Sequence, residues 1–423
     1  MKKIICILIA LLLLSACSGR AATETLAPAE VSETVTAEAA AEAEGEAQAA
    51  SGEGTLAVYL GVEHYGAEET NKDNRDSFTY RFDIGGEETV LRLDNGPQDA
   101  EGNYSYPIQN QLKEGYAYRL TLEGDTVTAV TEVEELEPYT PLVQGVPGEG
   151  TLTNFLKTAL EPVGTTLYIY GGGWDWQDEG SSAQARTLGV SPDWVRFYQS
   201  QDEQYTYKER DGNPDIQNPE RSYFPYGGYN EYYYAGLDCS GYLGWVLYNT
   251  FETEDGAEGY VGGSTGFAKR LAERGWGTWT QDVQAPDGHG GGTMRPGDLM
   301  SINGHVWISL GTCADGSVVI LHCTPSYSRA GQPGGGVQLS AIGGGEDCEA
   351  YRLAERYLSE YYPDWFSRYP VYLCDPAVYF TFEGESAGKF TWDTENGPVS
   401  DPDGLREMTP DAVLEILFAQ SKA

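Results

Sequence analysis

The stretch Leu237-Asp238-Cys239-Ser240-Gly241-Tyr242 runs directly into an apolar segment carrying Leu243, Trp245, Val246, Leu247 and Tyr248. A cysteine framed by small residues at the head of an apolar helix is a setting for a thiol nucleophile. First-turn N–H groups and the helix dipole favour S⁻ over SH there, so the expectation is a lowered thiol pKa. A buried structural cysteine is the competing use of the same pattern. Two histidines supply what a nucleophile requires. His305 leads Gly304-His305-Val306-Trp307-Ile308-Ser309-Leu310-Gly311, and His322 lies near the end of Val318-Val319-Ile320-Leu321-His322-Cys323. Both runs read as strands, with Asp315-Gly316 as the hairpin between them. If they pair, a histidine sits near the far end of each strand and the two side chains share a face. The chemistry then assigns itself. His305 accepts the Cys239 proton, His322 holds the other ring nitrogen of His305, and a backbone N–H beside Cys239 serves as oxyanion donor. The two other histidines, His64 and His289, read as solvated.

A metal site is the other use for such residues. Cys239, His305, His322 and Cys323 are the candidate zinc set, but the chain has no CxxC, no HxxxH and no close ligand pair with a third partner. No metal and no cofactor are expected.

The elements that must position these residues follow from the order of the chain. Residues 1–17 read as an export signal: Lys2 and Lys3, an apolar run from Ile4 to Leu14, then Leu14-Ser15-Ala16-Cys17. The apolar part is too short to span a bilayer as a mature helix. Small residues before a cysteine resemble a bacterial lipobox, which implies lipidation at Cys17 and a membrane partner through that lipid. Residues 18–54, rich in Ala, Glu, Thr, Gly and Ser, read as a disordered acidic tether. Residues 55–137 alternate apolar and polar positions in five strand-like runs, at 55–60, 78–82, 89–93, 117–122 and 127–130, and predict a small all-β barrel or sandwich. Residues 138–150 are a Pro- and Gly-rich linker. A helix from Leu152 and the aromatic-to-glycine run Thr166-Leu167-Tyr168-Ile169-Tyr170-Gly171-Gly172 then approach the site. Within 174–236, Ser191-Pro192-Asp193 signals one helix start; the rest is a candidate lid or binding wall. Thr265 to Arg274 predicts a second helix. Past Gly345 the expectations are a helix from Cys348 to Tyr362, strands at Val371-Tyr372-Leu373 and Val378-Tyr379-Phe380-Thr381-Phe382, and a last helix from Pro410, all packed on the core. The formal charge is −39, from 65 acidic and 26 basic residues, which disfavours nucleic acid and anionic polymers as partners. The 30 tyrosines and 9 tryptophans fit either a surface that stacks on extended ligands or an aromatic core. Cys313, Cys323, Cys348 and Cys374 allow several disulfide pairings outside the cytoplasm, and free buried thiols equally.

Five segments together resemble the NlpC/P60 cysteine peptidases. Asp238-Cys239-Ser240-Gly241-Tyr242 is similar to that family's D-C-S-G-F/Y, and Thr166 to Gly172 to its P-Y-x-Y/W-G-G. Arg295-Pro296-Gly297-Asp298-Leu299 is similar to L-x-P-G-D-L, Gly304 to Gly311 to S-H-V-G-I-Y-x-G, and Leu321-His322-Cys323 with Gly336-Val337 to I-H-A followed by G-V. The resemblance covers residues 151–345, with 174–236 as an insertion and 346–423 as a C-terminal extension beyond it. It implies an α+β, papain-like fold: a helix bearing Cys239 packed on an antiparallel sheet bearing His305 and His322. It implies hydrolysis of peptidoglycan stem peptides, typically at a γ-D-glutamyl to diamino acid bond, by a monomeric extracytoplasmic enzyme. Tyr170, Asp238 and Ser240 become substrate-binding candidates, with Tyr170 beside the thiol and Asp238 receiving a free amine of the stem peptide. Packing and helix capping are the structural uses of Tyr170 and Asp238. Three positions depart from the pattern: Asn303-Gly304 in place of serine before the histidine, Trp307 in place of glycine, and Cys323 in place of alanine. An amidase or acyltransferase on another substrate, and a wall-binding lipoprotein without turnover, are the alternative readings.

Overall fold

A computed structural model describes residues 54–64, 75–172, 186–201, 231–252, 260, 262–283, 294–331 and 333–419. Cys17, residues 1–53, most of the insertion and His289 lie outside them. The described chain is mixed α+β.

The first unit is a closed five-stranded barrel in the order β1-β2-β3-β5-β4. Its strands are β1 (Thr55–His64), β2 (Thr79–Ile84), β3 (Glu87–Leu93), β4 (Ala117–Glu123) and β5 (Thr126–Glu132). Alternation selects the interior: Tyr80 and Phe82 of β2 and Tyr118 and Leu120 of β4 turn inward to meet Tyr59 and Val127. Pairing of β1 with β4 closes the ring, so no sheet edge is left open.

The second unit is built on a nine-stranded sheet among the described residues, ordered β7-β6-β12-β11-β10-β9-β14-β8, with β13 beside β12. The strands are β6 (Leu167–Tyr168), β7 (Gly236–Leu237), β8 (Gly277–Thr280), β9 (Leu299–Ile302), β10 (His305–Thr312), β11 (Val318–Tyr327), β12 (Pro333–Ile342), β13 (Tyr372–Cys374) and β14 (Gly388–Trp392). Helices α1 (Leu152–Leu160), α2 (Pro192–Ser200), α3 (Cys239–Phe251) and α4 (Phe267–Glu273) precede the central strands. Helices α5 (Glu349–Tyr361), α6 (Pro363–Arg368), α7 (Pro376–Tyr379) and α8 (Pro410–Leu417) follow them.

Helix α3 is apolar on nearly every side because it is enclosed. The Tyr242 hydroxyl donates to Ala159 O of α1 at 2.6 Å, and Trp245 meets Trp194 of α2 edge to face at 6.0 Å. One sheet face, with Val306, Ile308, Leu321 and Cys323, shares the main core with α3. The other face packs Trp307 and Ile320 against Tyr379 and Phe380. No helix of the described residues is long and apolar enough to cross a membrane.

The residues past Gly345 complete the sheet rather than only lying on it: β13 pairs parallel to β12, and β14 pairs with β8 and β9. The run Val378 to Phe382, expected as a strand, instead supplies the end of helix α7 (Val378 and Tyr379) and its exit. Asp375 caps that helix by accepting from Ala377 N, and Pro376 starts it. A cap and a proline at the first helical position outweigh the β-propensity of Val, Tyr and Phe here. Four strands escaped the sequence reading, the short β7 and β8 among them. β12 is rich in glycine and lacks alternation, and β14 is short and far from any motif.

Candidate active site

The nucleophile is delivered by a close backbone approach. Strand β6 runs parallel to β7, pairing Leu167 with Gly236 and Tyr168 with Leu237. A Cβ at Gly236 would fall 2.2 Å from Leu167 O, so only glycine allows this pairing. Ile169 N then donates to Leu237 O, and Asp238 N donates to Gly172 O, which fixes the first turn of α3. Cys323 adds a tie that its sequence position did not suggest: its thiol donates to Leu237 O at 3.0 Å.

Cys239 opens α3 and is 6 % exposed. Its S–H points to Gly304 O at 3.8 Å. Val306 N, the Ser264 hydroxyl and Ser240 N bear on the sulfur by favouring its thiolate form. Ser264 belongs to a 3-10 turn at Ser264–Gly266, and the neighbouring Thr265 hydroxyl accepts from Gly304 N at 3.0 Å. Neither residue was singled out from sequence, since no motif covers that turn. The thiol is thus held against the backbone on both sides of His305. Among the described residues no hydrogen bond joins Cys239 to the His305 ring.

Strands β10 and β11 pair antiparallel, with Ile308 opposite Leu321. His305 and His322 fall on one face as the hairpin predicts, and His305 Nε2 lies 3.0 Å from His322 Nδ1. Nδ1 is the His305 ring nitrogen outside that contact. His322 is fully buried, and its Nε2 lies 2.9 Å from Ser340 Oγ on β12. Tyr379 packs edge-on to both rings, with centroids 5.7 Å from His305 and 6.1 Å from His322, and Tyr372 lies 5.9 Å from His322. These two tyrosines come from the C-terminal extension and carry no sequence signal for the role.

The electrostatics correct one expectation. Burial pushes the Cys239 thiol up to about 12, and the neighbouring Asp238 carboxylate adds to the rise. Burial outweighs the helix dipole, and the Asp238 side chain also caps the helix: its Oδ1 accepts from Gly241 N at 2.7 Å and from the Ser240 hydroxyl at 2.9 Å. Burial lowers His305 to about 4 and His322 well below its usual range, the latter with a further contribution from His305. Desolvation also raises Asp238 to about 6. At neutral pH the site is a neutral thiol beside two neutral imidazoles.

Of the substrate-binding candidates, Asp238 and Ser240 therefore bond to each other at the helix cap. Tyr170 is half-buried and packs on the main core at the end of the segment that pairs with β7. Tyr233 lies over Gly171, whose added Cβ would meet its ring at 2.8 Å.

The barrel reaches this site through the residues just upstream of Cys239. Glu231 accepts from the Tyr59 hydroxyl at 3.0 Å and from Val62 N at 3.2 Å. The Tyr232 hydroxyl donates to Glu114, and Glu114 N donates to the Tyr234 hydroxyl. On α2, Asp193 accepts from the Tyr116 hydroxyl at 2.6 Å and pairs with Lys113 at 3.1 Å.

The five described cysteines are free. One group, Cys313, Asp315 and Glu349, gathers donor atoms within 4.8 Å of one another. Its carboxylates are engaged at the start of α5: Asp315 accepts from Glu349 N and Ser317, and Glu349 accepts from Ala314 N. A helix N-terminus with N–H groups aimed at these oxygens suits the anions present rather than a cation. No protein-family profile, curated protein or solved structure matches the chain.

Proposed function

We propose that the chain is an extracytoplasmic cysteine hydrolase of peptidoglycan stem peptides, anchored by a lipid on Cys17. The observation that carries the reading is the meeting of three residues far apart in sequence. Cys239 at the head of α3 touches the backbone around His305, and His305 bonds His322.

In this reading the Cys239 thiol attacks the amide carbon as His305 Nδ1 takes its proton. The Cys239 N–H, in the first turn of α3 and so without a helical acceptor, stabilises the oxyanion. The imidazolium then protonates the leaving amine, and water hydrolyses the thioester with His305 again as base. His322 holds the His305 ring through Nε2. The acidic chain suits an amine-bearing substrate. The barrel contacts at Glu231 and Tyr234 favour positioning of substrate over a mere spacer role.

Muropeptides incubated with the protein and analysed by mass spectrometry test this. The expected result is cleavage within the stem peptide that disappears in Cys239→Ala. No cleavage, or cleavage surviving that substitution, rejects it.

A further inference from the structure

Behind the histidine pair a polar chain crosses an otherwise apolar interior. His322 Nε2 lies 2.9 Å from Ser340 Oγ, Gln338 Nε2 donates to Ser340 Oγ at 3.1 Å, and Trp365 Nε1 donates to Gln338 Oε1 at 3.2 Å. All four residues are 0 % exposed. Gln338 stands directly opposite His322 in the β11–β12 ladder.

The chemistry of these groups gives the chain a direction. An indole N–H only donates, so Gln338 must turn its oxygen to Trp365 and its NH₂ to Ser340. Ser340 Oγ therefore accepts. Its own hydrogen has one other partner among the described residues, His322 Nε2. A buried hydroxyl hydrogen is costly to leave unpaired, so Ser340 donates there. His322 then carries its hydrogen on Nδ1 and donates to His305 Nε2. A neutral imidazole has one N–H, and in His305 it falls on Nδ1. That is the nitrogen required to take the Cys239 proton. In agreement, the S–H is directed to Gly304 O.

We propose that Trp365, Gln338 and Ser340 are positioning residues that hold His305 in its Nδ1–H tautomer, a resting state in which Cys239 keeps its proton. Taking the Cys239 proton requires His305 Nδ1 without its hydrogen, the tautomer that loss of the Ser340 donor to His322 would admit. The raised thiol pKa, caused by burial, is consistent with the resting form. The proposal rests on Cys239 and His305 acting as nucleophile and base, but not on the identity of the substrate.

Nitrogen-15 NMR of the full chain labelled at histidine reads which ring nitrogen carries hydrogen, with assignments from His305→Gln and His322→Gln. Both rings are expected as Nδ1–H near neutral pH; an Nε2–H form of either ring overturns the proposal. Iodoacetamide alkylation of Cys239, followed by peptide mass spectrometry, provides the second readout. Ser340→Ala and Gln338→Leu each remove the enforced donor and are expected to speed alkylation about tenfold, equivalent to about one pKa unit. Ser340→Thr, which keeps the hydroxyl, is expected to retain the original rate. A slower or unchanged rate in both releasing variants overturns the proposal. If these variants fail to fold, the tautomers of the unmodified protein still decide it. Neither readout uses a peptidoglycan fragment, so failure here is separable from failure of the substrate assignment.

Discussion

Cys239 is more deeply desolvated than a cysteine at a helix start need be, and its reactivity follows from that. With the thiol near 12 and His305 near 4, a neutral pair occupies the whole neutral range. Alkylation of Cys239 is therefore expected to be slow at neutral pH and to climb toward alkaline pH. A rate that stays level down to acid pH would mark a preformed thiolate–imidazolium pair and reject this picture. The histidines also link stability to pH. Their folded pKa values are depressed below the usual 6.5, so the folded state resists protonation that the unfolded chain accepts. Their contribution is fully present above 6.5 and is lost as pH falls toward 4 through the folded value of His305. Asp238 works in the opposite sense: raised from 3.8 to about 6, it favours the folded state at low pH and loses that contribution as pH rises through about 6. Two histidines against one carboxyl leave a net loss on acidification. Urea unfolding followed between those limits measures it. The slope is expected to shrink in His322→Gln, and an unchanged slope rejects the assignment.

At the scale of elements, the site depends on how α3 begins. Asp238 is at once the N-cap, the partner of Ser240 and a charge beside the sulfur. Asp238→Ala removes the cap and is expected to cost about 1 kcal/mol of stability, read from denaturant midpoints. Asp238→Asn keeps a capping oxygen while removing the charge, so it is expected to lower the Cys239 pKa with less loss of stability. If both variants leave the thiol pKa unchanged, the electrostatic account of Cys239 is wrong. The histidine hairpin is equally dependent on its surroundings. Thr265 holds Gly304, and Gly304 occupies a left-handed conformation with φ of 77° in the turn from β9 to β10. That turn sets where His305 starts its strand.

Across the whole molecule, Asp298 joins the early and late parts of the chain. It is fully buried and pairs with Arg406 at 3.0 Å and Lys389 at 3.6 Å, while the Thr391 hydroxyl donates to it at 3.0 Å. The residues from 389 onward are thereby tied to the strand next to β10. Removing one member of a buried, hydrogen-bonded ion pair leaves the others uncompensated. Asp298→Ala is expected to lose about 3–5 kcal/mol, measured by urea unfolding, and a loss under about 1 kcal/mol would show that the pair is not sustained in solution. The barrel is joined in a different way, through polar contacts with α2 and the Glu231–Tyr234 segment rather than through shared sheet.

Local signals in the sequence determined the strands of the barrel, because they alternate with period two and glycine turns join β2 to β3 and β4 to β5. They also determined the helix of Cys239 and the two histidine strands, since apolar runs, a capping aspartate and an Asp-Gly hairpin act within a few residues. The hairpin made the shared face of His305 and His322 legible, but their offset is set by a register shift between Ser309 and Gly311 that no local signal marks. Tertiary structure alone decided the rest. β12 is a glycine-rich strand held by its neighbours, so Ser340, Gln338 and Trp365 could not be connected to the histidines beforehand. Val378 to Phe382 became part of a helix and its exit because Asp375 and Pro376 govern its start. The protonation of Cys239 is likewise decided by tertiary structure. A helix dipole is a local property, whereas desolvation is set by everything that packs around the sulfur, and here burial prevails.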